Sequence, residues 1–162
     1  ITIDFNDPGF LQNVVEDAAP VLGGNLDVGT NNITTTSADT DITLVPNGTG
    51  RLDVDGVFHT TKQSGTVTDN TTAVFYTYSA TDESTIIEYG VARSGDGHKT
   101  GQLIIITDGT SVNISDTGSE LGAPGVTFTA AINSGNVEVS YTSTSTGNTG
   151  TIAWHARQWS IT

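Results

Sequence analysis

The chain has 162 residues, 18 acids against five bases for a net charge of −13, and neither cysteine nor methionine. A disulfide framework and a thiolate metal site are therefore excluded, and no basic stripe exists to displace counterions from a nucleic acid. Thr, Val and Ile supply 56 residues against seven Leu, a profile that excludes a helical protein because β-branched side chains favour the pleated surface of a sheet.

The opening Ile1-Thr2-Ile3-Asp4-Phe5 alternates like a short strand. Asp7 before Pro8 then reads as a helix N-cap with proline at the first helical position. Phe10, Leu11, Val14, Val15 and Ala18 share one face, and Pro20 ends the run. The spacing predicts a short amphipathic helix over residues 9–18. Residues 1–19 read as a separate N-terminal segment, expected to serve attachment, and without an initiator methionine the chain is expected to be processed or part of something longer.

From Pro20 to about residue 58 the texture changes. Leu26-Asp27-Val28, Asn31-Asn32-Ile33, Ile42-Thr43-Leu44-Val45 and Arg51-Leu52-Asp53-Val54 read as strands of three or four residues, divided by turns such as Pro46-Asn47-Gly48-Thr49-Gly50. A single chain of this kind has too little core to offset its ordering entropy. Burial against identical copies would supply one. Residues 1–58 also carry nine of the acids and one base.

Residues 59–162 carry longer candidate strands at 72–79, 85–93, 99–107, 112–115, 126–132, 136–142 and 150–157. Their spacing of roughly eight to twelve residues predicts an antiparallel sandwich of the jelly-roll kind. Asn133-Ser134-Gly135-Asn136 is the clearest hairpin turn. No run approaches the roughly 20 apolar residues of a membrane span; Leu103 to Ile106 is a single strand's worth.

Pro20-Val21-Leu22-Gly23-Gly24-Asn25-Leu26-Asp27-Val28 with Asn31-Asn32-Ile33 resembles a segment common in bacteriophage tail-fibre and related virion proteins. Ile42 to Val54 resembles the shaft segment found beside it. Glu88 to Arg93, Gly101 to Ile105, Gly125 to Phe128 and Tyr141 to Gly147 are similar, more loosely, to the C-terminal heads of such fibres. The resemblance implies a homotrimer with an intertwined shaft over 20–58 and a β-sandwich head over 59–162. It implies a structural protein on the exterior of the virion that attaches to a host-surface receptor such as a glycan, or decorates the capsid or tail. Residues 1–19 would then dock on other virion proteins.

No catalytic constellation stands against this. Asp39-x-Asp41, Asp53-x-Asp55, Asp82-Glu83 and Asp96-x-His98 lack the spacing of a calcium loop, and turn chemistry explains them. His59, His98 and His155 are the chain's histidines, and there is no Gly-x-Ser-x-Gly elbow. The expectation is a non-enzyme without metal, cofactor, nucleic-acid or membrane partner. A glycan-degrading tailspike-type enzyme and a monomeric secreted carbohydrate-binding module are the alternatives. Alternation over 72–79 sets Tyr76 and Tyr78 opposite Phe75, which nominates the two tyrosines as exposed receptor contacts. The Gly-rich stretches Ser94–Thr100 and Asp116–Pro124 read as exposed loops. The first adds Asp96, His98 and Lys99 to the receptor-contact candidates.

Overall fold

Alternation sets the architecture, and Ser84–Arg93 shows it best: Thr85, Ile87, Tyr89, Val91 and Arg93 are buried, while the residues between them stay half-exposed. That is a strand with one face on a core. The computed structural model of the protein describes residues 25–26, 28–35 and 38–161. It divides the chain into two compact units, Ile1–Thr43 and Leu44–Thr162. The predicted helix over 9–18 lies outside the described residues.

In the first unit the described residues form turns, one closed by a hydrogen bond from the Asn31 amide to the Val28 carbonyl at 3.0 Å. The short strands expected at 31–33 and 42–45 do not form. The physical reason is a missing layer: Ile33, Ile42, Leu44 and Val45 are 49–73 % exposed, so nothing among the described residues supports a ladder there.

The second unit is a sandwich of two antiparallel sheets. Its strands are β1 (Leu52–Val54), β2 (Val57–His59), β3 (Gln63–Val67), β4 (Thr72–Ser79), β5 (Ser84–Arg93), β6 (Gly97–Thr107), β7 (Val112–Gly122), β8 (Val126–Asn133), β9 (Asn136–Ser143) and β10 (Gly150–Trp159). The larger sheet has the order β1-β2-β10-β5-β6-β7, with β3 also paired to β10; the smaller is β4-β9-β8. β1 and β2 belong to this sheet although they fall around the boundary expected near residue 58. The core between the sheets holds Ile87, Tyr89 and Val91 from β5, Leu103 and Ile105 from β6, Val137, Val139 and Tyr141 from β9, and Ile152, Trp154 and Ala156 from β10. The β8–β9 hairpin turns on Ser134 (φ 50°) and Gly135 (φ 78°), the paired positive values of a type I′ turn.

The two stretches read as loops are largely strand. Residues 97–103 and 116–122 pair with each other in the β6–β7 ladder, with Gly97 opposite Gly122 and Gly101 opposite Gly118. Their glycines mark close approach instead of a break. A Cβ on Gly101 would fall against the Thr117 carbonyl and within 2.9 Å of the Tyr89 hydroxyl. Tyr89, directly across from Gly101, covers the hollow the glycine pair leaves. An aromatic side chain stabilises strand glycines in this way.

Candidate binding surface

Five side chains were expected at a receptor-contact surface, and the sandwich scatters them. Tyr76 and Tyr78 are core residues, 9 % and 7 % exposed. A β-bulge between Val74 and Tyr76 shifts the register of β4 against β9, so Phe75 and both tyrosines all turn toward the interior. Phe75 meets Trp154 edge-to-face at 5.1 Å. The Tyr76 hydroxyl donates to Gln158 Oε1 at 3.1 Å. Burial raises the pKa of both phenols, that of Tyr78 to about 12.

Lys99 is also buried, on the inner face of β6. Its Nζ lies 2.9 Å from Asp116 Oδ2 and 3.2 Å from Glu120 Oε1, and it donates to the Val126 carbonyl at 3.0 Å. Burial pulls its pKa down, and the hydrogen bonds to the two carboxylates more than offset that, leaving it above the ordinary value. Tyr89 donates to the same Asp116 at 2.6 Å. Its pKa is raised by burial first and by that carboxylate second.

Asp96 is committed to a loop clamp. It accepts from Thr146 Oγ1 at 2.6 Å and from Asn148 Nδ2 at 3.2 Å. The clamp centres on Arg93, whose side chain is fully buried. Arg93 donates to Asp69 Oδ1 at 2.6 Å and to the carbonyls of Pro124, Thr144 and Asn148. Asp69 in turn accepts the Thr146 and Gly147 amides. These bonds, the Thr146 amide first, hold the Asp69 carboxyl below its ordinary pKa.

Of the five, His98 is exposed, and it leads to the surface that the geometry does build: the outer face of the larger sheet. Registers place its outward residues in rows across β10, β5 and β6. Trp159, Ser84 and Ile106 form the first row; Arg157, Ile86 and Ile104 the second; His155, Glu88 and Gln102 the third. Ala153, Gly90 and Thr100 form the fourth, and Thr151, Ala92 and His98 the fifth.

The third row is a hydrogen-bonded belt. His155 Nε2 lies 2.8 Å from Glu88 Oε2, and Gln102 Nε2 donates to Glu88 Oε1 at 3.0 Å. The fourth and fifth rows have small side chains in the middle and larger ones outside, which leaves an open trough of about 470 Å³. Its rim includes His98, Ser119 and Leu121. A smaller hollow of about 280 Å³ continues it past Lys62 to Glu88 and His155.

Charge on this face is opposite in balance to the whole. His59 faces outward opposite Arg157, so all three histidines, Arg157 and Lys62 lie here. Glu88 is the one acid among the outward strand residues described. Among the described residues, no group of three or more His, Asp or Glu side chains is placed to hold a metal ion.

Sequence reasoning missed this face. Its signals were the unbroken apolar run Leu103 to Ile106 and the small residues Gly90-x-Ala92 beside Ala153.

No family model matches the chain, and no curated protein does. Among solved structures, it is similar to part of the tailspike protein of the Acinetobacter phage vB_ApiP_P1, with 18 % identity and a TM-score of 0.34. The likeness covers 82 % of this chain and 25 % of the tailspike, so the chain spans about a quarter of that protein.

Proposed function

We propose that the chain is a non-enzymatic structural fibre protein on the exterior of a bacteriophage particle. It assembles as a homotrimer and attaches to a host-surface glycan through the trough on the larger sheet. Residues 1–19 join it to other virion proteins. The observation that carries the attachment role is the segregation of charge. A protein of net charge −13 approaching an anionic cell surface is repelled everywhere except where its acids are absent. The outer face offers Lys62, Arg157 and three histidines against Glu88, which His155, Gln102 and Arg157 hold, and the one other acid lining the trough, Glu120, is paired with Lys99.

The shape supports a polymer ligand. An enclosed pocket suits a small molecule, whereas this trough is open and crosses β10, β5, β6 and β7, with Thr151 and Ser119 in its lining. A polyhydroxylated chain can lie along it. The fibre role and the trimer rest on the segment from Pro20 to Val54, in which the described side chains of Leu26, Ile33, Ile42, Leu44, Val45 and Val54 are exposed.

Biolayer interferometry against the purified surface polysaccharide of the host checks the attachment role. Lys62→Glu and His98→Ala are each expected to weaken binding by about fivefold, the scale of one exposed charged contact. Equal binding by both variants would place the site elsewhere. The same polysaccharide incubated with the protein should show no rise in reducing ends; a rise would make the chain an enzyme.

A further inference from the structure

The first two rows of the outer face differ in kind from the trough. Val54 and Val57 of the β1–β2 hairpin continue the row of Trp159 and Ile106, while Leu52 continues that of Ile86 and Ile104. Val54, Ile104 and Ile106 are 52 %, 47 % and 53 % exposed. A strand with one face in water alternates apolar and polar residues, whereas a strand covered on both faces reads as an unbroken apolar run. Leu103-Ile104-Ile105-Ile106 is such a run, as is Ile86-Ile87, yet the fold covers only the Leu103, Ile105 and Ile87 side. The sequence is composed for a second cover that one copy does not supply.

We infer that this apolar half of the outer face is where a second copy of the same chain docks. The β-sandwich, and not only the stretch over 20–58, then holds the oligomer together. The inference rests on the homotrimer proposed above and names the surface that forms it.

Two observations select a second copy as the occupant. Ile86, Ile104, Ile106, Val54, Val57 and Leu52 have no side-chain hydrogen-bonding group, so a glycan finds little to grip there, whereas another such face is complementary to it. Two copies of charge −13 repel one another, and these rows contain no acid; Arg157 and His59 are their only charged or titratable members. Copies therefore meet here with less repulsion than at an acidic face. A contiguous apolar surface on a soluble protein commonly marks such an interface.

Sedimentation of the full chain and of an Ile104→Glu, Ile106→Glu double variant tests this. The wild type is expected at three times the chain mass and the variant at a lower mass, with the same far-ultraviolet circular dichroism. Val74→Glu, at an exposed position of β4 on the opposite sheet, should keep the wild-type mass. A folded double variant that stays trimeric overturns the interface and leaves the trimer standing. A monomeric wild type overturns both.

If the double variant fails to fold, Ile104→Cys introduces the chain's sole thiol. A bis-maleimide should then couple copies on the order of a hundredfold faster than in Val74→Cys, because docked copies present each other at effective millimolar concentration. Equal coupling rates overturn the proposal.

Discussion

Residues 25–50 and residues 52–161 draw on similar β-branched, glycine-punctuated sequence, yet among the described residues only the second region forms sheets. Leu44, in the first, is 62 % exposed, and Leu103, in the second, is fully buried. Their immediate sequence contexts, Ile42-Thr43-Leu44-Val45 and Leu103-Ile104-Ile105-Ile106, are similarly strand-forming. The difference is a second layer. β6 has β5 and β7 beside it and the smaller sheet across the core, whereas residues 42–45 have no strand partner among the described residues. Local strand preference is thus necessary in both regions and sufficient in neither.

The largest expected break in the comparison is at Arg93. Its guanidinium joins β5, Asp69, the Pro124 carbonyl and the 144–148 loop in one buried cluster. Arg93→Met keeps the volume but takes the guanidinium donor from three carbonyls and leaves Asp69 to the Thr146 and Gly147 amides. The loss expected is about 3 kcal/mol, the scale for removing a buried charged donor from several hydrogen bonds at once. Chemical denaturation would check it, and a change under 1 kcal/mol would mean that water substitutes fully for the guanidinium.

Of similar size is the direct contrast of the two leucines. Leu103→Ala should destabilise the sandwich by about 2–5 kcal/mol through lost burial and the cavity left behind. Leu44→Ala, at an exposed position, should stay within about 0.5 kcal/mol for unfolding of the sandwich. Matching losses at the two sites would show that Leu44 is covered as fully as Leu103 in the assembled protein.

Alkaline pH probes the tyrosines that the bulge in β4 and the glycine pair in β6 and β7 have drawn inward. Tyr76, Tyr78 and Tyr89 all have raised pKa values in the fold. Folding therefore favours the neutral phenol. That stabilisation is complete below the unfolded value near 10 and declines as pH rises through each folded value. For Tyr78, lifted to about 12, the loss is on the order of 2 kcal/mol. Absorbance at 295 nm should show these phenols ionising together with unfolding, and a smooth titration near pH 10 in the folded protein would contradict their burial.

How much of this was legible in the sequence follows from what each feature depends on. The long strands β4, β5, β6, β8, β9 and β10 and the β8–β9 hairpin were readable because alternation and an Asn-Ser-Gly-Asn turn are local properties, whereas β2, β3 and the second half of β7 went unread because short or polar strands are defined by their partners. The bulge at Val74/Tyr76 depends on the partner strand, so simple alternation set Tyr76 and Tyr78 facing outward when they face in. Gly97, Gly118 and Gly122 looked like loop punctuation because a glycine's partner is unknown until the register is. Lys99 looked like a surface cation for the same reason: its register partner Glu120 lies 21 positions away. The outer face was concealed differently. Leu103 to Ile106 was visible as a strand, but its missing polar alternation carried the information about a second cover.

The smallest expected effect separates turn chemistry from layer chemistry. Gly135 has φ 78° and open space where a Cβ would stand, so Gly135→Ala meets no clash and carries only the left-handed backbone penalty, about 1 kcal/mol. Gly118 is different, because a Cβ there would meet the Thr100 carbonyl and lie 3.1 Å from the Tyr89 hydroxyl. Gly118→Ala must push β7 off β6 or displace Tyr89 from Asp116. Either movement weakens the cage around Lys99, so its effect should exceed that of Gly135→Ala and extend to Tyr89. Paired denaturation curves together with the Tyr89 ring resonances by NMR check this ordering. If the two alanines cost the same and leave Tyr89 unmoved, then the β6–β7 glycines are conformational breaks after all, and 116–122 is the loop its composition first suggested.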